Sequence, residues 1–334
     1  MVKKALPGHI SPSYLIALFV IAGLFGCNTP ESNKEQKKSV AEERSMPDFN
    51  ADSAYAFTKA QVDFGPRVPG TPSHQKCGDY LTAKLRLYGF EVVEQNAPIT
   101  TYDHKRFTLR NIIGSYNPSL GNRVLLLAHW DTRPFASRDS VDKQKPADGA
   151  NDGASGVAVL LEIARQVHLN KPEIGLDIFF DDLEDYGQEE NSGFPEKEDT
   201  WCLGTQYWAA HPHKPNYTAS YGILLDMVGG ENPLYSKEGH SVRQAPFITD
   251  RIWNTAARLG YGDNFVDKMG PEITDDHTYI NKILQIPTAD IIALDPNTGR
   301  FPFYHHCHSD NMKNVSRYSL EMTGKVLVET IFSK

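Results

Sequence analysis

Cysteine is scarce in this chain, four residues in 334, and its spacing is irregular, which excludes a disulfide framework. Cys27 ends an apolar leader, so Cys77, Cys202 and Cys307 allow one bridge at most, and none is expected. Basic charge is in deficit: 34 Lys and Arg stand against 42 Asp and Glu, a formal charge of −8. With no basic stripe to neutralise phosphates, nucleic-acid binding is excluded. No uninterrupted apolar run approaches the roughly 20 residues of a membrane span, and there is no internal repeat. Once the N-terminal leader is set aside, the chain is long enough for one large globular domain with a sizeable core.

Lys3 and Lys4 precede the short apolar run from Tyr14 to Ala22, and Leu24-Phe25-Gly26-Cys27 follows it. The run has the length of a signal-peptide core. The four residues after it resemble a bacterial lipobox, whose cysteine becomes lipidated; a plain secretory signal cleaved near Gly26 is the other reading. Residues 28–48 hold almost nothing apolar and read as a flexible tether. The expected organisation is a lipoprotein signal peptide over 1–27, a tether over 28–48 and a catalytic domain over 49–334. Lipidated Cys27 would hold that domain on a membrane of the bacterial cell envelope, facing the periplasm or the outside.

Helical periodicity runs from Ala51 to Phe64 and from Ser73 to Leu87, with the breaker-rich loop Gly65 to Pro72 between them. Phe90 to Ala97 and Phe107 to Tyr116 alternate as a half-exposed antiparallel pair. Continuous apolar runs at 123–128, 176–180, 221–225 and 289–294 have the signature of strands buried on both faces. Helical segments near 154–168, 202–211, 247–259, 275–284 and 316–332 intervene. The alternation predicts an α/β fold, three layers α/β/α with a central mixed, mainly parallel sheet.

His129, Asp152, Asp185, Asp226 and His306 each lie just past an apolar, strand-like run. Their order is the ligand order of a zinc exopeptidase-type site, and strands of one sheet bring such distant ligands together at its carboxyl edge. Each segment also has a plainer reading. His129, in Ala128-His129-Trp130-Asp131, is an exposed strand end or a ligand with an orienting carboxylate two residues on. Asp152, in Gly149-Ala150-Asn151-Asp152-Gly153-Ala154-Ser155-Gly156, is a cap for the following helix or a ligand. In Phe179-Phe180-Asp181-Asp182-Leu183-Glu184-Asp185-Tyr186-Gly187, neighbouring carboxylates can divide metal binding from proton transfer. One reading makes Glu184 the acid/base and Asp185 the ligand. The ungapped reading makes Glu184 the ligand and leaves Leu183 where the base should stand. Asp226, after a buried run, needs a partner for its charge. In Thr274-Asp275-Asp276-His277, a helix cap and a proton-sharing carboxylate are both expected. In Phe301-Pro302-Phe303-Tyr304-His305-His306-Cys307-His308-Ser309-Asp310, His306 is the best ligand and His308 the runner-up; Phe301, Phe303 and Tyr304 either wall a small pocket or pack the loop.

From about Ala51 to the C-terminus these six segments, in order, resemble the animal-type glutaminyl-peptide cyclotransferases and, more distantly, the zinc aminopeptidases of the same fold. The Phe-Phe-Asp lead, the Asp-Asp-His triplet and the Phe-Pro-x-x-His-His approach favour the cyclase side. The resemblance implies one zinc held by Asp152, Asp185 and His306, with Glu184 as general acid/base and Asp226 and Asp276 as its hydrogen-bonded carboxylate network. His129 matches the first ligand of the two-metal peptidases and would be a near-site residue in a cyclase. The implied substrates are peptides and proteins with an N-terminal glutamine, converted to pyroglutamate with release of ammonia. The alternative is a two-zinc aminopeptidase. The animal enzymes carry glutamate where this chain has Asp185, and a disulfide near the Asp152 segment where this chain has no cysteine.

Overall fold

The computed structural model describes residues 47–189 and 192–333. The expected signal peptide, Cys27 and the tether as far as residue 46 lie outside the described residues. Packed structure is under way by Phe49, which is buried and lies against Gly324 of the last helix. Asn50 then caps helix α1 (Ala51–Val62), its side chain accepting the Ser53 N–H at 2.8 Å. Thr71 caps α2 (Pro72–Leu87), whose first residue is a proline, the position where a missing N–H does no harm.

Six strands form the main sheet in the order β1-β2-β4-β3-β5-β8. Strands β1 (Glu91–Thr100) and β2 (Arg106–Tyr116) pair antiparallel, and β2 pairs antiparallel with β4 (Gly175–Asp181). Strand β3 (Arg123–His129) runs parallel to β4 and to β5 (Tyr221–Asp226), and β5 runs parallel to β8 (Thr288–Ile292). The sheet is therefore mixed and mainly parallel, as expected. Every residue of β3, β4, β5 and β8 is buried, the consequence of apolar runs covered on both faces. Strand β2 departs from the half-exposed pair that its alternation suggested. Its second half is buried because it pairs with β4 as well as β1, from Ile112 opposite Phe180 to Tyr116 opposite Leu176.

Alternate residues of β3 serve two cores. Val124, Leu126 and Ala128 pack on one face with residues of α1, α2, α3 (Ala154–Asn170) and α8 (Arg317–Phe332). Leu125 and Leu127 pack on the other with Phe179, Leu224, Ile280, Ile286 and Trp208 of α4 (Leu203–Ala210). This gives the three layers. Helix α6 (Pro246–Arg258) is the one expected near 247–259, the short α5 (Gly239–Gln244) before it was not expected, and α7 (Asp276–Tyr279) continues as a π-helical turn, Ile280–Leu284. A separate two-stranded parallel ribbon, β6 (Tyr235–Lys237) with β7 (Phe265–Met269), was not legible: it has few residues and no clean alternation. Among the described residues no helix is long and apolar enough to cross a membrane. Cys77, Cys202 and Cys307 are free.

Candidate metal centre and its cleft

The carboxyl ends of β3, β4 and β5 lie side by side, so the chain leaves the sheet at His129, Asp181 and Asp226 along one edge. Loops after these strands deliver the remaining groups: Asp152 just before α3, Glu184 and Asp185 just after β4. Three turns here hold non-glycine residues in the left-handed region: Leu183 (φ 57°), Met227 (φ 52°) and His306 (φ 56°). Such conformations cost about 1–3 kcal/mol each and concentrate at functional sites, where surrounding structure enforces them. Gly153 is required by close approach, since a Cβ there would run into the carbonyl and imidazole of His129.

Two groups of potential ligands share Asp152. In the first, His306 Nε2 lies 3.1 Å from Asp185 Oδ1 and 3.8 Å from Asp152 Oδ2. In the second, His129 Nε2 lies 3.0 Å from Asp152 Oδ1 and 3.4 Å from Asp226 Oδ1. Ligands bound at 2.0–2.2 Å to a tetrahedral ion stand about 3.3–3.6 Å from one another, and the spacings of His306 from Asp185 and of His129 from Asp152 and Asp226 are close to that. Unsatisfied atoms point the same way. Both His129 ring nitrogens and Asp226 Oδ1 are buried with close carboxylate or imidazole neighbours but no well-aligned hydrogen bond, a condition that a cation relieves. Imidazole and carboxylate are the donor chemistry zinc accepts.

A shell of fixed contacts orients these ligands. The Asp131 carboxylate accepts the N–H of Glu184 at 3.2 Å and that of Asp185 at 3.3 Å, and lies 3.5 Å from His129 Nδ1. Asp310 accepts the N–H of Asn151 at 2.8 Å and of Asp152 at 3.2 Å, clamping the loop before α3. Burial, then the neighbouring Asp152, pushes the Asp310 carboxyl up to about 7. Arg67 is fully buried and donates to the carbonyls of Asp148 and Gly149, holding the same loop from beneath. Arg133 donates to the Asp185 carbonyl at 2.8 Å and pairs with Glu189 at 2.9 Å.

Glu184 is the acid with the most suggestive surroundings. Burial raises its carboxyl well above the usual range; Asp185, Asp275 and Asp276 add to the rise, against a lowering by His129. The Cys202 thiol lies 3.5 Å from Glu184 Oε1, and Glu184, Cys202 and Asp275 offer atoms within 4.8 Å of one another. The structure thus corrects the expected network. The helix cap expected at Thr274 or Asp275 is Asp275, which also approaches Glu184. Asp276 turns instead to Asp181 and Thr205 on the buried side. The Asp181 and Asp276 carboxylates are buried with no well-aligned hydrogen bond, and burial followed by the charge of Asp276 holds Asp181 well above its ordinary value. Asp226 contacts His129 rather than Glu184, and burial pushes its carboxyl up to about 6. His306 would be lowered by burial, but Asp185 and Glu189 raise it to about 9, so a metal ion must displace a proton to bind there.

These groups open into a cleft of about 1190 Å³. Of the three aromatic residues considered as pocket walls, only Phe301 lines it. Phe303 is 79 % exposed, and Tyr304 is buried with its hydroxyl accepting from Asn151 Nδ2 at 3.3 Å; an exposed ring and a ring spent on a loop contact cannot shape the cleft. His308, the other candidate histidine, turns its ring to the Asp142 carbonyl, 3.3 Å away. Trp201 was missed. It lines the cleft with its ring parallel to His306, centroids 6.1 Å apart, and lies 4.8 Å from the Arg133 guanidinium. Its indole packs on Gly187, where any side chain would collide with it. Its only sequence signal was a bulky aromatic just before the predicted helix at 202.

Residues 111–331 match the model of peptidase family M28. Two solved structures have closely similar folds. A Zn-dependent exopeptidase from Parabacteroides distasonis is 50 % identical, with a TM-score of 0.84 covering 87 % of this chain and 100 % of that one. The glutaminyl cyclase of Bacteroides thetaiotaomicron, bound to N-acetylhistamine, is 49 % identical with the same TM-score and coverage. The bovine glutaminyl-peptide cyclotransferase is 22 % identical over 300 residues, 78 % of this chain and 76 % of its own length. A shorter match, 32 % identical over 154 residues and 46 % of this chain, spans 42 % of the uncharacterized protein YfbL of Escherichia coli. With the match extending from β2 through α8, this chain belongs to peptidase family M28.

Proposed function

We propose that this protein is a zinc-dependent glutaminyl-peptide cyclotransferase, converting the N-terminal glutamine of peptides and proteins to pyroglutamate with release of ammonia. The observation that carries the reading is the position of Glu184. It is a partly exposed carboxyl with a raised pKa, flanked by buried Asp275 and Cys202 and lining the same cleft as Asp152, Asp185 and His306. The 49 % identity to a bacterial glutaminyl cyclase supports it.

In this proposal Asp152, Asp185 and His306 would hold one zinc. When bound, zinc supplies polarisation of the glutamine γ-amide carbonyl, making its carbon electrophilic. The α-amine and the γ-amide belong to one residue, so closing a five-membered ring needs no external nucleophile. Glu184 accepts the proton that the attacking amine loses and returns it to the departing nitrogen, which leaves as ammonia. Its raised pKa suits both halves of that transfer. The neighbouring Asp275 adds to the rise of the Glu184 carboxyl, which favours its protonated form for the return step. Arg133 fixes the Asp185 main chain while Asp131 fixes the Glu184 and Asp185 amides, so the base and the ligand keep separate directions.

A second reading has a specific observation behind it. The His129–Asp152–Asp226 group can hold another ion, as in a two-zinc aminopeptidase, where Glu184 would activate water. Incubation of the metal-loaded protein with Gln-initiated and Leu-initiated peptides, scored by mass, separates the two. Loss of ammonia from the first alone is expected; release of leucine from the second without cyclisation of the first would replace the cyclase by the peptidase.

We also propose that the enzyme is held at the cell envelope through a lipid on Cys27, on the strength of the Leu-Phe-Gly-Cys leader. Wild type should fractionate with membranes and Cys27→Ala should not. A soluble wild type with an unmodified N-terminus beyond residue 27 would leave only a cleaved signal.

A further inference from the structure

His305 sits between Phe301 and the candidate ligand His306, its ring centroid 4.5 Å from the one and 3.7 Å from the other. Its Nε2 lies 3.8 Å from Asp152 Oδ2. By composition and distance alone, Asp152, His305 and His306 make a metal-binding group of their own. The second ring nitrogen decides otherwise. Nδ1 lies 2.9 Å from Arg138 Nη1. A guanidinium has only donors and stays charged in proteins, so the nitrogen it meets must offer a lone pair. An imidazole with a bare Nδ1 carries its hydrogen on Nε2, and a protonated Nε2 has no lone pair left for a metal.

Arg138 is well placed to impose this choice. Its main-chain N–H donates to the His306 carbonyl at 3.2 Å, and its guanidinium lies 5.8 Å from the Phe301 ring centroid. Among the described residues it has no ion pair with a carboxylate, so its donors are free to hold His305. The Nε2 edge of His305 faces the cleft: the residue lines it, the side chain keeps 10 % of its surface, and no described residue accepts from Nε2.

We propose that Arg138 locks His305 as the Nε2–H tautomer, and that this N–H donates to the glutamine side-chain carbonyl oxygen of the substrate rather than His305 binding metal. The identity of the acceptor rests on the cyclase reading; the tautomer does not. A donor 3.8 Å from the oxygen of a candidate zinc ligand adjoins the place where the substrate carbonyl must sit. As the amine attacks, that oxygen gains negative charge, and a fixed donor binds it more strongly then than before. Removing one donor of this kind costs about 10²–10³-fold in kcat.

Nitrogen-15 histidine spectra of the zinc-loaded enzyme read the tautomer directly. One ring, identified by its absence from His305→Gln, should show a bare Nδ1 and a protonated Nε2, and Arg138→Met should abolish that pattern. A protonated Nδ1, or an Nε2 shifted by metal, overturns the tautomer. In kinetics, His305→Leu should lower kcat for Gln-initiated peptides about 100-fold with KM little changed and zinc content intact. His305→Gln, which keeps a side-chain N–H, should recover part of the loss. Loss of zinc from His305→Leu overturns the proposal by making His305 a ligand, and a change in KM alone overturns the carbonyl as acceptor. Should wild type not cyclise glutamine at all, the acceptor falls with the cyclase reading, while the spectra still decide the Arg138–His305 lock.

Discussion

Replacing Glu184 by glutamine should remove the proton acceptor and leave the metal group whole. Its backbone anchors do not involve the carboxylate: the Glu184 N–H donates to Asp131 at 3.2 Å and its carbonyl accepts from Cys202 at 3.0 Å. The amide is the same size, so the neighbouring Asp185 keeps its place 3.1 Å from His306. General acid/base catalysis contributes about 10²–10⁴-fold, or about 3–5 kcal/mol of barrier, and Glu184 acts in both halves of the proton transfer. The expected kcat loss is therefore at the upper end, with zinc content unchanged. Asp185→Ala removes a ligand and should lose both zinc and activity. Stability gives an independent check. The Glu184 carboxyl is raised in the folded state, so in metal-free wild type its contribution to stability is fullest below the unfolded pKa. It then falls as pH rises through the folded value, at about 1.4 kcal/mol for each unit between the two. Glutamine has no proton to lose. Metal-free Glu184→Gln should therefore match or approach wild type in acid and exceed it towards neutrality, as read by denaturant unfolding at several pH values. If Glu184→Gln loses zinc while Asp185→Ala retains it, the roles of the two carboxylates are reversed and the reasoning fails.

Three further outcomes follow from the geometry. Gly153→Ala should prevent formation of the Asp152 loop, because the new Cβ falls on His129; a folded, zinc-loaded variant by circular dichroism and metal analysis would contradict this. Asp310→Ala removes the acceptor of two loop amides and should weaken zinc by about 10–100-fold in a chelator competition; unchanged affinity would show that the loop holds without it. Phe303→Ala should change neither KM nor stability beyond about 0.5 kcal/mol, as the ring is exposed, whereas Phe301→Ala should raise KM.

The central strands could be read from sequence because their chemistry is uniform: 123–128, 176–180 and 221–225 are apolar throughout, and each became a strand buried on both faces. The end of each such run marked the sheet edge, which is where His129 and Asp226 lie; Asp185 follows β4 by a short loop, whereas Asp152, just before α3, and His306, well after β8, stand on longer loops and not directly past a strand as expected. Direction was harder. Adjacent carboxylates at 275 and 276 look alike in sequence, and which one turns toward Glu184 is set by the capping geometry of α7, where Asp275 accepts from the Asp276 N–H. In the same way, Phe303 and Tyr304 sit next to the cleft-lining Phe301 in sequence yet face solvent and the Asn151 loop. Trp201 joins the site through a loop whose path depends on Gly187, a long-range fit that no local pattern reports.

The most direct measurement follows the amines of a Gln-initiated peptide whose other residues carry none. Cyclisation consumes the α-amine and liberates one ammonia for each peptide, leaving the chain intact. Peptide hydrolysis liberates a new α-amine for each bond cut and no ammonia. The zinc-loaded protein should show the peptide amine falling in step with ammonia rising, and Glu184→Gln should stop both. New peptide α-amines appearing without ammonia would contradict the account.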